Sequence, residues 1–184
     1  MTARAKTGTM LPFAGLKQDG AVSDLAYRVE LTPPDIEPYR EGNTGIEYVT
    51  TFAATAPGPH VLVCTLTHGN EICGAIALDR LFRAGIRPRH GILTLAFNNV
   101  AAYREFDPRY PVASRYIDED FNRLWHPDTL DGPRRSVELE RARALRPVVD
   151  SADFLLDLHS MQYATAPLML AGLLPRSREL ARRV

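Results

Sequence analysis

The chain has 184 residues, and its 22 basic side chains balance its 22 acidic ones, leaving no electrostatic footprint for nucleic acid or an anionic membrane. That length suits one domain, or part of one, with a buried core. Two cysteines, Cys64 and Cys73, fall inside a predicted strand and a predicted helix, so no disulfide framework is expected and a reducing compartment fits.

The opening Met1-Thr2-Ala3-Arg4-Ala5-Lys6 is not followed by an apolar stretch. No run reaches membrane-spanning length either, so the expectation is a soluble, cytoplasmic protein. Residues 1–42 are poorly periodic and interrupted by Pro33-Pro34 and Pro38, which predicts an extended arm leading into a domain over 43–184. Ile46 to Ala54 reads as a first strand, closed by Pro57-Gly58-Pro59. His60 to Thr67 is the second, apolar almost throughout, as parallel strands buried on both faces are. From Asn70 to Arg83 the apolar residues Ile72, Ala75, Ile76, Leu78, Leu81 and Phe82 make one broad helical face. Asn70 suits its N-cap and Gly85 its C-terminal stop.

Ile92 to Phe97 is a third strand. The stretch from Tyr103 to Asp131 is polar, contains prolines and is too long for an ordinary connection, so it reads as functional, with Phe121 and Trp125 anchoring it. A helix is expected from Pro133 to Arg146, with Leu139, Ala142 and Leu145 on one face and Pro147 ending or kinking it. Short strands follow at Phe154–Leu158 and Pro167–Ala171, then a charged helix from Arg176. Strands alternating with helices predict an α/β fold, with a mostly parallel or mixed sheet and helices on both faces.

The chemistry-bearing residues sit where strands end. His68-Gly69-Asn70-Glu71 follows the second strand, and His159 follows Leu155-Leu156-Asp157-Leu158. Two imidazoles and a carboxylate, with a fourth position for water, describe a hydrolytic metal centre. In open α/β sheets ligands bind at the carboxyl ends of strands. The competing reading is a set of unrelated loop residues, and a lone His-x-x-Glu favours it. A second strand-terminal histidine brings the two readings level. Asp157 lies two residues before His159 and so on the same side of a strand. It either orients that imidazole or bonds strand-end amides.

The other constellation is Arg115-Tyr116-Ile117-Asp118-Glu119-Asp120-Phe121-Asn122-Arg123. Arginine forks and an amide suit a carboxylate-bearing ligand, and Arg115 suits a developing oxyanion. A solvated loop of mixed charge is the alternative. His60 and His90 read as surface-turn residues, and His126 as a loop histidine beside Trp125.

Taken together, Thr67-His68-Gly69-Asn70-Glu71, Arg115 through Trp125, and Asp157-Leu158-His159-Ser160 resemble the succinylglutamate desuccinylase/aspartoacylase family of zinc carboxypeptidase-like hydrolases. The order and spacing of the three blocks agree with that family. The resemblance implies one Zn2+ per chain on His68, Glu71 and His159. It implies Arg115 polarising the scissile carbonyl, and Asn122 and Arg123 holding a substrate carboxylate. The substrate class is then a small N-acyl amino acid or related amide. A carboxypeptidase acting on short peptides and a metal-binding, non-catalytic module are the alternatives.

Two departures stand out. Phe121 replaces the usual leucine of the second block, an apolar exchange. After His159 the chain has one glutamate, Glu179, in charged surroundings, whereas the family carries a general-base glutamate well downstream of its third ligand. The expectation is therefore a catalytic domain truncated at its C-terminus, nearly inactive alone and prone to self-associate through uncovered apolar surface. Native oligomeric state is left open.

Overall fold

The computed structural model describes residues 29–161 and 165–183. Part of the expected N-terminal arm, residues 1–28, lies outside the described residues. The segment that leads into the first strand is tied down. Ile36 is buried, and the Tyr39 ring stacks on Phe82 with centroids 4.2 Å apart.

A four-stranded mixed sheet organises the rest. Its strands are β1 (Val49–Ala53), β2 (His60–Thr65), β3 (Ile92–Phe97) and β4 (Phe154–Leu158), in spatial order β1-β3-β2-β4. β2 runs parallel to both β3 and β4, while β1 is antiparallel to β3. Alternation along each strand sends side chains to two separate cores. On one face Leu66, Leu95 and Phe97 meet Ile72, Ala75 and Leu78 of helix α1 (Ile72–Arg83). On the other face Leu62, Cys64 and Ala96 meet Leu139, Ala142 and Leu145 of helix α4 (Val137–Ser151). The chain is thus α/β with helices on both faces, as the alternating pattern requires. Both cysteines are free.

The expected stop of α1 is realised. Gly85 takes φ +63°, its N–H donates to the Phe82 carbonyl at 3.0 Å, and the Ile86 N–H donates to Leu81 at 3.2 Å. That pair of bonds closes the helix around a left-handed residue, where a side chain is penalised. The expected start is not. The helix begins at Ile72, and Asn70 Oδ1 is buried without a hydrogen-bond partner among the described residues. Residues 68–71 are occupied by the site instead.

Four other expectations are corrected. Pro147 does not end α4, which continues to Ser151. One missing N–H is offset by Val148 and Val149 packing on the α4-side core. That helix also starts at its cap, Ser136, whose Oγ accepts from the Leu139 N–H at 3.0 Å, and not at Pro133. Residues 167–171 form no strand. They are exposed, with Leu170 at 89%, and pair with no strand of the sheet. His60 is no surface-turn residue. It opens β2, and its ring bridges the Ser151 carbonyl at 3.1 Å and Thr94 Oγ1 at 2.8 Å. His90 does lie exposed in a bend.

The long segment before α4 is ordered by short pieces: α2 (Val100–Arg104), 3-10 turns at Pro111–Ser114 and Phe121–Arg123, and α3 (Pro127–Leu130). Phe121 and Leu124 are fully buried, and Trp125 packs against the same core. His126 caps α3 through a ring nitrogen that accepts from the Asp128 N–H at 3.3 Å. The final helix, α5 (Pro175–Arg183), has no buried residue. No helix among the described residues is long and apolar enough to cross a membrane.

Candidate metal centre

The parallel neighbours β2 and β4 end side by side, and this brings the predicted residues together. Thr65 pairs with Leu158 at the last rung between β2 and β4, so the chain leaves both strands at one edge of the sheet. Leu66 then turns with φ +58° while fully buried. A leucine in that left-handed region costs on the order of 1–3 kcal/mol and persists only where its surroundings hold it. Here the Asn98 N–H donates to the Thr65 carbonyl and the Asn99 N–H to the Leu66 carbonyl, each at 2.8 Å. The turn aims Thr67 and His68 out of the sheet plane.

Gly69 is needed for a different reason. A Cβ there would overlap backbone atoms of Ala102, Tyr103 and Ser114, and its N–H donates to the Arg115 carbonyl at 3.1 Å. The glycine lets the Arg115 segment lie directly on the histidine turn.

Glu71 is the centre of the cluster. Its Oε1 lies 2.7 Å from His68 Nδ1, and its Oε2 lies 2.7 Å from His159 Nδ1. The Ser160 N–H adds a third donor at 3.3 Å. One ligand atom from each of His68, Glu71 and His159 can be chosen so that all lie within 4.8 Å of one another. Both imidazoles are also gripped from behind. His159 Nε2 lies 2.8 Å from Asp157 Oδ2, and His68 Nε2 lies 3.2 Å from Asp120 Oδ1. Asp157 in turn accepts from the Thr67 hydroxyl at 2.7 Å, and Asn98 donates to that hydroxyl oxygen at 2.9 Å.

Electrostatics follow this geometry. The Asp157 and Glu71 carboxylates flanking His159 push its pKa up to about 10. Burial works against charge on Glu71, but hydrogen bonds from His159 and His68 overcome it and hold the carboxyl at about 2. An anionic carboxylate between two imidazoles, each oriented by an outer carboxylate, is a donor set that fits a divalent metal ion taking the place of the shared proton.

Arg115 joins the cluster. Its Nη2 lies 2.9 Å from His68 Nε2, and its Nη1 lies 3.4 Å from Glu71 Oε1. Asn122 does not touch the three residues. It lines a cavity of about 390 Å³ on the α4 side of the sheet, shared with the polar Thr67, Asn98 and Asp157, the charged Arg146 and Asp150, and apolar residues such as Leu62 and Trp125. The three candidate ligands do not line that cavity, which reaches their neighbourhood only through Thr67 and Asp157. Arg123 is exposed and is not brought to the cluster. Glu179 is far from this chemistry in character, lying on exposed α5 and paired with Arg183 at 2.9 Å.

Sequence reasoning passed over Thr67, Asn98 and Asp120. The signal for Asp120 was its place two residues before Asn122, whose backbone N–H it caps at 2.9 Å. Thr67 and Asn98 carried no signal except as strand-end polar residues.

A mixed α/β sheet with a His-Glu-His cluster where its parallel strands β2 and β4 end offers a candidate metal site. The family is reached by comparison. The succinylglutamate desuccinylase/aspartoacylase catalytic domain family matches residues 57–181, and the chain belongs to it. It is 35% identical over 130 residues to a probable aspartoacylase of Parasynechococcus marenigrum (strain WH8102), covering 67% of this chain and 41% of that protein. It is 30% identical over 113 residues to N-acyl-aromatic-L-amino acid amidohydrolase (carboxylate-forming) B of Danio rerio, covering 54% of this chain and 34% of that one. The chain thus spans between a third and about two-fifths of these relatives' lengths. A succinylglutamate desuccinylase/aspartoacylase structure from Rhodobacter sphaeroides is similar over 62% of this chain and 34% of that chain, at 27% identity and a TM-score of 0.48.

Proposed function

We propose that this chain carries the metal-binding part of a zinc-dependent amide hydrolase that deacylates a small N-acyl amino acid or related carboxylate-bearing amide. One observation carries the reading: each oxygen of the Glu71 carboxylate lies 2.7 Å from a different imidazole, His68 and His159. Those three residues would hold one zinc ion. When bound, zinc supplies Lewis-acid polarisation of a carbonyl and a water of lowered pKa.

The chain's own residues would do the rest of what is assigned here. Asp157 holds the His159 ring through the nitrogen turned away from Glu71, and Asp120 does the same for His68. Arg115 presents its guanidinium beside both His68 and Glu71, where it can donate to the oxygen of a substrate carbonyl as negative charge develops. Asn122 and Arg123, on the same segment, offer an amide and a fork for a substrate carboxylate. Proton transfer to the leaving amine is not assigned to any of these groups, and Glu179 is engaged with Arg183 on α5. We therefore propose that these residues alone bind metal and turn substrate over slowly, since a general base typically contributes about 10²–10⁴-fold. The names of the two curated relatives favour N-acyl amino acids over peptides as the substrate class.

The test compares hydrolysis of N-acetyl-aspartate, N-acetyl-phenylalanine and short peptides by the longest native protein containing these residues. Faster turnover of an N-acyl amino acid than of any peptide is expected, with loss in Arg115→Ala. Preferential release of a C-terminal residue from peptides would make the protein a carboxypeptidase. No hydrolysis despite zinc uptake would make it a metal-binding module.

A further inference from the structure

The second arm of the site, Arg115 to Arg123, has no regular strand or α-helix to hold it, yet it meets both the His-Glu-His cluster and the α4-side cavity. What holds it is a clasp with the first turn of α4. Glu138 is fully buried. Its Oε1 accepts from the Ile117 N–H at 2.6 Å and from Asn99 Nδ2 at 3.0 Å. Its Oε2 accepts from the Asp118 N–H at 3.1 Å and the Glu119 N–H at 3.3 Å. All four donors are neutral, and three are consecutive backbone amides, so residues 117–119 form an anion-binding concavity occupied by a side chain of the protein itself.

The grip is reciprocal. Asp118 Oδ2 accepts from the Val137 N–H at 2.8 Å, and Glu119 Oε1 accepts from the Ser136 hydroxyl at 2.5 Å. Two of the acidic residues that made this segment look like a solvated loop are therefore docked onto the helix. Asn99 extends the connection to the metal turn. Its backbone N–H holds the Leu66 carbonyl, two residues before His68, while its side chain holds Glu138.

We propose that Glu138 is a positioning residue for the Arg115–Arg123 segment. Its buried carboxylate orders the backbone of 117–119, and so sets Arg115 against His68 and Glu71 on one side and Asn122 at the cavity on the other. Calling this positioning for catalysis rests on the function proposed above; the ordering of the segment does not. Removing the carboxylate takes the acceptor from three consecutive, partly buried backbone amides, a cost concentrated on this segment. A neutral amide at the same position keeps one acceptor oxygen but turns an N–H2 group toward N–H donors.

Site-resolved amide hydrogen exchange on the metal-free chain tests this, with the His68 ring nitrogen resonances as a second readout. In Glu138→Ala the amides of 117–119 should exchange at least about tenfold faster, while amides of β2, β3 and α1 stay within about twofold of the parent. The His68 resonances should shift as Arg115 moves. Glu138→Gln should fall between the two. Unchanged exchange at 117–119, or a rise shared equally by β2 and β3, overturns the proposal. So does a Glu138→Gln variant identical to the parent, because a neutral acceptor would then suffice. Should Glu138→Ala fail to fold, the local pattern in Glu138→Gln decides alone. If the parent takes up no zinc, the proposed function fails while the exchange result stands on its own.

Discussion

His68 and His159 end neighbouring parallel strands and reach the same carboxylate, but they are held very differently. His68 follows the central strand β2, its side chain is 3% exposed, and Asp120 and Arg115 close over it. His159 follows β4, the edge strand, and its side chain is 33% exposed. Leu155 and Leu156 of the same strand are also exposed, at 48% and 41%. One half of the cluster is thus built into the core, and the other half depends on a single outer carboxylate, Asp157. The lesson is that equivalent ligand chemistry does not mean equivalent support. Substitutions should separate the two halves.

The largest effect should come where the halves meet. Glu71→Ala removes the partner common to both imidazoles, and zinc affinity should fall by more than the roughly 10–100-fold that loss of an outer partner costs. Competition against a chromophoric chelator measures this, and an affinity within about threefold of the parent would remove Glu71 from the ligand set. Asp157→Asn should weaken zinc binding by about 10–100-fold through the exposed ring of His159. An effect equal to that of Glu71→Ala would mean that Asp157 is itself a ligand.

Stability should split the other way. His68→Ala leaves the buried Glu71 carboxylate short of a donor where water cannot easily replace it, costing about 1–3 kcal/mol in urea unfolding of the metal-free chain. His159→Ala opens a position already wet and should cost less. Equal losses would deny the difference in support.

The smallest effect concerns acid. Burial opposes charge on Glu138, but the Ile117 amide, Asn99 and the Asp118 amide outweigh it and hold its carboxyl below its ordinary value of 4.5. A depressed carboxyl contributes stability that is present above its unfolded value and is lost as pH falls through the folded one. The parent should therefore lose stability below about pH 4.5 more steeply than Glu138→Gln, read from urea midpoints across that range. Parallel curves would contradict the assignment.

Much of this was legible in the chain. Runs such as His60–Thr65 and Ile92–Phe97 are apolar enough to be strands, and the polar residues that end them fall at one sheet edge because parallel strands share a direction. That is why His68 and His159 could be paired from pattern. What the pattern could not carry was pairing across the fold. Asp118 and Glu119 look like solvated charges until α4 is placed beside them, and Glu138 looks like an ordinary first-turn acid on a helix. Pro147 signals a break, yet the helix runs through it because its neighbours pack on the sheet. Pro167–Ala171 has the composition of a strand, yet it lies exposed and unpaired, because composition does not carry pairing.

We propose that His68, Glu71 and His159 form one metal site. Metal content of the folded chain after zinc loading and exhaustive dialysis tests it most directly. The account predicts about one zinc per chain for the parent and almost none for His68→Ala. A folded parent without zinc, or a His68→Ala variant that keeps as much as the parent, would contradict it.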